Sequence, residues 1–219
     1  MFLHTRRVVI TAITAAALLA ACTSDESQSS TPQISLDDGS SLVDRLLIPD
    51  DVALISGFDG VEAHDFEEFP VFENPDPRGP CGALVSVPTL DGAAGGALTG
   101  ATIGLIQLVT PASPEYQAYI TTLLADQGPP CDRYISETNT GEIQNVSEIV
   151  LYDADGEGVR GVAWTSLVEV DAKSIYLGVI AVETAELITF VQIQSASAIP
   201  QEGMQLLTER AVLRLQGPG

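Results

Sequence analysis

Val159-Arg160-Gly161-Val162-Ala163-Trp164-Thr165-Ser166-Leu167-Val168-Glu169-Val170 decides how this chain is built. Val162, Trp164, Ser166 and Val168 fall two apart, the period of a strand whose successive side chains face opposite ways. The same period runs through the segments on either side. It predicts strands near Tyr134–Thr138, Gln144–Tyr152, Val159–Val170, Ser174–Glu183 and Leu187–Gln194. The residues between them suit antiparallel hairpins: Asn139-Thr140-Gly141, Asp153-Ala154-Asp155-Gly156, Asp171-Ala172 and Thr184-Ala185-Glu186.

Working outward, the pattern becomes mixed. Ala83–Val87 and Thr102–Val109 read as strands, joined by a Gly/Ala-rich loop or hairpin tip from Asp91 to Gly100. Ser113-Pro114-Glu115 opens a helix with an N-cap, a proline at the first position and an acid in the first turn. Tyr116, Tyr119, Ile120, Leu123 and Leu124 then share one apolar face, and Gly128-Pro129-Pro130 ends the helix. Pro200 opens a final helix with Met204, Leu207, Ala211 and Leu215 on its apolar face. Leu42, Leu46 and Leu47 predict a short helical turn, and Pro49-Asp50-Asp51 starts another that Gly57 stops. Phe58–Pro80 is expected to hold one irregular strand and a long loop. Helices set among runs of antiparallel strands define an α+β fold. The expected form is a mostly antiparallel twisted sheet of about six to seven strands, with one face packed against the two longer helices.

The first 41 residues do not belong to that domain. His4, Arg6 and Arg7 precede an unbroken small and apolar run from Val8 to Ala21, which is too short to span a bilayer. Such a stretch reads as a secretory signal peptide, residues 1–21. The run ends in Leu19-Ala20-Ala21-Cys22, which resembles the lipobox of bacterial lipoproteins. The resemblance implies that the Cys22 thiol receives a diacylglycerol and that Cys22 becomes the first residue. Thr5-Arg6-Arg7 also resembles a twin-arginine export motif, so either export route is open. Residues 22–41 are the lipidated cysteine and a Ser/Thr/Asp/Gln-rich flexible tether. Residues 42–219 are the single α+β domain.

Composition narrows the partners. The chain carries nine basic and 30 acidic residues, a net charge of −21. Residues 1–21 hold two of the basic residues and none of the acidic ones. Their removal leaves seven against 30, a net −23. Nucleic-acid binding needs clustered Lys and Arg, so it is excluded as a function. Docking on anionic lipid by charge is excluded for the same reason, which leaves the lipid anchor to hold the membrane. Cys81 and Cys131 are the two cysteines that remain, and an exported context favours a disulfide between them.

Catalytic signatures are weak throughout. His64 is the one histidine after the leader, and no Gly-x-Ser-x-Gly elbow is present. His64 stands with Glu62, Asp65, Glu67 and Glu68, but their spacing matches no metal cage. Asp153-Ala154-Asp155-Gly156-Glu157-Gly158 places its glycine too early for a calcium loop and reads as a hairpin turn. The glycines from Gly92 to Gly104 do not form a phosphate loop. No catalytic residue, metal site or cofactor is expected. Trp164, the single tryptophan, reads as core rather than as the wall of a cleft. Tyr152 and Tyr176 stay open between the two.

Leu46-Leu47-Ile48-Pro49-Asp50-Asp51-Val52-Ala53-Leu54-Ile55-Ser56-Gly57, ahead of Cys81-Gly82-Ala83, resembles the opening of actinobacterial envelope lipoproteins. It is also similar to the extracellular sensor domain of PknH-type serine/threonine kinases. That resemblance implies a twisted sheet, a cleft, disulfides and an unidentified ligand. The kinase sensor has cysteines enough for two bridges, where this domain has two cysteines in all. The expected protein is a membrane-anchored extracytoplasmic lipoprotein on the outer face of the cell membrane. It would act as a non-catalytic, sensor-like module for an envelope ligand or protein. The rival readings are an envelope hydrolase and a carrier of a lipid or other apolar ligand. Polar groups converging on His64 would favour the hydrolase, a deep apolar cavity the carrier, and a shallow cleft the binding module.

Overall fold

Among the described residues, eight strands form one sheet: β1 (Glu62–Asp65), β2 (Ala94–Thr99), β3 (Ile103–Pro111), β4 (Arg133–Glu137), β5 (Ile143–Asp153), β6 (Arg160–Val170), β7 (Lys173–Glu183) and β8 (Leu187–Ser195). Their spatial order is β1-β2-β3-β8-β7-β6-β5-β4, and every neighbouring pair is antiparallel. The computed structural model describes residues 41–65, 93–125, 133–137, 143–170 and 173–217. All of them lie in one compact unit, Pro32–Gly219. The expected strand Ala83–Val87 and the turns at Asn139 and Asp171 lie outside the described residues.

Ala94–Thr99 is a strand, where a loop or hairpin tip is expected. Glycine and alanine are poor strand formers in isolation, but tertiary packing decides strand formation more than propensity does. Ala97 and Leu98 are buried. A Cβ at Gly96 would lie 3.4 Å from Leu46 Cδ1, so the small residues let the N-terminal segment pack close to the strand.

Among the described residues, the expected short helical turn (Leu42–Arg45, a 3-10 helix) and three α-helices accompany the sheet: α1 (Pro49–Val52), α2 (Pro114–Ala125) and α3 (Gln201–Gln216). The expected α2 start is present, with Ser113 Oγ accepting the Tyr116 N–H at 3.3 Å. Tyr116 and Ile120 are buried on its inner face, whereas the Tyr119 and Leu123 side chains lie outside the described residues. In α3 the buried residues are Met204, Leu207, Thr208, Ala211 and Leu215.

The two longer helices cover opposite faces of the sheet, not one face together as expected. Tyr116 and Ile120 cluster with Val162, Trp164, Val179, Ala181, Ile188 and Phe190. Met204, Leu207, Ala211 and Leu215 cluster with Ala163, Ile180, Val182, Leu187, Val191 and Ile193. Adjacent strand residues therefore alternate between two separate cores. The physical signature lies in Val179-Ile180-Ala181-Val182 and Leu187-Ile188-Thr189-Phe190-Val191. These are continuous rather than alternating runs, as strands buried on both faces require.

The N-terminal segment lies along α3. Asp51 Oδ2 accepts the Ile48 N–H at 2.9 Å and pairs with Arg214 Nε at 2.8 Å, joining α1 to α3. The buried Arg45 sits against the end of α3, where its positive charge meets the negative pole of the helix. Gly217, at φ +101°, gives that guanidinium its room, because a Cβ there would overlap it. The helix expected to run from Pro49 to a stop at Gly57 ends earlier, at Val52, and Gly57, at φ +97°, lies in the turns that follow it.

Candidate functional site

Cys22, Cys81 and Cys131 lie outside the described residues, as do Glu67 and Glu68. His64 stands on the edge strand β1, opposite Ala97 of β2. Its Nε2 is 2.9 Å from Thr99 Oγ1 and 4.0 Å from Glu62 Oε2. The ring thus bridges two strands. Among the described residues no group of three or more His, Cys, Asp and Glu side chains is placed to hold a metal ion.

The Asp153–Gly158 segment forms the expected hairpin turn. Gly156 and Val159 exchange backbone hydrogen bonds at 3.0 and 3.2 Å. Asp155 Oδ1 accepts the Gly161 N–H at 3.0 Å, which commits that carboxylate to holding the turn. Trp164 is 2% exposed and belongs to the core beneath α2, as predicted. Tyr152 and Tyr176 are both half-buried, and Tyr152 Oη lies 3.5 Å from Thr165 Oγ1.

A shallow, open cleft of mixed polar and apolar lining lies where three elements meet at one end of the sheet. The β5–β6 turn supplies Gly156 and Gly158, the β7–β8 turn supplies Thr184 and Ala185, and α2 supplies Gln117. Arg160 and Glu183 form its charged wall, and its volume is about 360 Å³. Space is open above Gly158, where a Cβ would meet nothing within 4 Å. The β7–β8 turn is rigid: Thr184 N–H donates to the Leu187 carbonyl at 2.8 Å, and Thr184 Oγ1 accepts the Leu187 N–H at 3.0 Å.

Arg160 and Glu183 are direct cross-strand partners. Arg160 Nε donates to Glu183 Oε1 at 2.7 Å, and Nη2 donates to the same oxygen. Nη2 also reaches Thr121 Oγ1 of α2 at 3.2 Å. Exposure is lopsided, with the Arg160 side chain 46% exposed and that of Glu183 6%. The second carboxylate oxygen, Oε2, is buried and accepts no hydrogen bond among the described residues. A buried acceptor left in that state costs roughly 1–3 kcal/mol, so this oxygen is the least satisfied point in the cleft wall.

A second polar group is fully satisfied. Gln107, 1% exposed, accepts the Leu47 N–H at 2.6 Å and donates to Thr189 Oγ1 at 2.9 Å. Thr189 Oγ1 in turn donates to the Leu108 carbonyl at 2.9 Å. This network pins the N-terminal segment to the sheet, and its role is structural. Neither it nor the Arg160–Glu183 wall was anticipated from the sequence. Hairpin counting does contain the second: the Val170–Lys173 pairing across Asp171-Ala172 brings Arg160 opposite Glu183.

The sequence matches no protein-family model and no curated protein. Among solved structures, the fold is similar to the X-ray structure of an uncharacterised Mycobacterium smegmatis protein, described as an Rv0999 ortholog. The identity is 14% and the TM-score 0.42, covering 78% of this chain and 97% of that one.

Proposed function

We propose that the protein is a lipid-anchored extracytoplasmic binding module of the actinobacterial envelope-lipoprotein type. It takes up its ligand in the cleft between the β5–β6 turn, the β7–β8 turn and α2. The observation that carries the binding reading is the chemistry of the cleft lining. It offers a guanidinium, a carboxylate, an amide and bare backbone, which are groups that hold a ligand. Acyl transfer would need a nucleophile activated by a base, and the one hydroxyl of the lining, Thr184 Oγ1, is committed to the turn: it accepts the Leu187 N–H at 3.0 Å and donates to the Leu187 carbonyl at 3.3 Å. The carrier reading draws no support from the two cores, where Ile120, Ile180, Met204 and Val191 are fully enclosed by side chains. The anchor rests on Leu19-Ala20-Ala21-Cys22 and the polar stretch after it.

His64→Ala tests the non-catalytic reading. General acid–base work near neutral pH most often recruits histidine, and His64 is the candidate that remains after the leader. In a deletion strain, the variant is expected to restore the wild-type phenotype in full. Loss of rescue by a variant that folds normally by circular dichroism would return the hydrolase to first place.

Cys81 and Cys131 are further proposed to form a disulfide, as export of the only two remaining thiols suggests. A bridge closing a loop of about 50 residues contributes roughly 4 kcal/mol in the chain-entropy model. Mass spectrometry without reductant is expected to find a linked Cys81–Cys131 peptide pair. Two alkylatable thiols in oxidised protein would refute it.

A further inference from the structure

Five large apolar side chains stand exposed among the described residues, and four of them belong to α3 and the N-terminal segment beside it. Leu54 is 82% exposed, and Val43, Ile48 and Leu213 join it; the fifth is Val150 of β5. The segment runs along one flank of α3, because its Arg45, Asp51 and Ile55 meet Gly217, Arg214 and Gly203 of the helix. Leu213 sits two residues from the buried Ala211 and Leu215, about half a turn round the helix, and so faces away from the sheet. Helix and segment thus form an outer layer that presents apolar side chains to the surroundings. We infer that this layer lies against the surface of the bilayer that holds the Cys22 lipid, with Val43, Ile48, Leu54 and Leu213 set into its interface.

Two observations select the bilayer as the occupant. The first is where the tether ends. Residues 22–41 join the anchor to the domain, and Ser41 is two residues from Val43. A random coil of that length spans about 25 Å, so the layer at its end is held close to the lipid. Confinement of that kind raises the effective concentration, and a few weak contacts then suffice to orient a domain they could not hold unaided. The anchor supplies attachment, and the layer supplies orientation. The second observation is charge. Residues 41–58 and 200–217 carry five acidic and three basic residues, whereas the other 162 residues from Cys22 onward carry 25 and four. An anionic lipid surface therefore repels this layer less than the rest of the domain. Two of its five acids are also engaged: Asp44 Oδ2 accepts the Ser41 N–H at 2.7 Å, and Asp51 pairs with Arg214. The orientation has a consequence for the cleft. Since α2 and α3 cover opposite faces of the sheet, α2 and its Gln117 are turned away from the membrane.

The inference rests on the lipid-anchor reading, and its test separates the two. Full-length protein, made in the native host with a labelled fatty acid, is reconstituted into vesicles of phosphatidylcholine and phosphatidylglycerol. The acyl chains are either brominated or plain, and bromine quenches a tryptophan that it reaches. Leu54→Trp and Leu213→Trp are expected to lose most of their added emission in brominated vesicles. Ala118→Trp, at an exposed position of α2, should keep its emission, as should the native Trp164 in the core. Adding Val43→Asp and Leu213→Asp to Leu54→Trp should restore the lost emission while the anchor stays in place. Both probe positions are exposed, and either one decides the matter if the other variant fails to fold. Equal emission in brominated and plain vesicles for the folded α3-side variants overturns the inference, as does equal quenching of Ala118→Trp. Quenching without bromine that grows with protein density would assign the layer to a second copy of the chain and overturn it too. Absence of label from Cys22 would remove the anchor reading and this inference with it. Label present, with Leu54→Trp and Leu213→Trp unquenched, would remove the inference alone.

Discussion

Cys22→Ala is expected to move the protein almost completely from the membrane fraction to the soluble fraction. Each buried methylene contributes about 0.8 kcal/mol to membrane association, and two acyl chains hold stably where one holds only marginally. On the proposed lipidation of Cys22, the variant would lose both chains of the diacylglyceryl group at once. Nothing electrostatic replaces them, because a chain with 30 acidic and nine basic residues is repelled by anionic lipid. Among the described residues no helix is long and apolar enough to cross a membrane. Expression of both forms in the native host, with a labelled fatty acid, reads the outcome directly. Equal fractionation, with equal label on the two proteins, would remove the lipobox reading.

The sheet was legible because its signal is periodic. Five consecutive strands from Tyr134 to Gln194 were placed within a few residues of β4 to β8, since alternation and short polar turns survive any tertiary arrangement. β2 was not legible, because Ala94-Gly95-Gly96-Ala97 has the composition of a loop. It becomes a strand only when β3 and the Leu46 side chain are present. The placement of both helices on one face failed for a related reason. Val179–Val182 alternates between two cores, but both sets are apolar, so the alternation leaves no trace in the sequence. The cleft was the hardest feature to foresee. Arg160 and Glu183 are ordinary charged residues far apart in the chain, and only the register across β6 and β7 makes them neighbours. What sets Glu183 apart is its burial, which depends on α2 and two turns at once.

Trp164→Ala is expected to destabilise the domain by about 3–5 kcal/mol, the usual range for removing a large aromatic from a core. Trp164 is 2% exposed and lies between Leu151 of β5 and Val179 of β7 in the sheet. It shares its cluster with Tyr116 and Ile120 of α2 and with Phe190 of β8. Its removal forfeits the apolar area that folding takes out of water and opens a hole beneath the helix. The helix is tied at its start by Ser113 and cannot settle freely into the gap. For a domain of this size each kcal/mol lowers the melting temperature by about 2–4 °C, so a fall of roughly 6–20 °C should follow. Far-UV circular dichroism is the appropriate probe, because the variant has no tryptophan left to report by fluorescence. Trp164→Phe keeps the ring and most of the volume, and should recover most of the loss. A tryptophan kept for ligand contact would behave differently, because its truncation would leave stability nearly unchanged. A cost below about 1 kcal/mol would therefore contradict the packing role and reopen Trp164 as a binding residue.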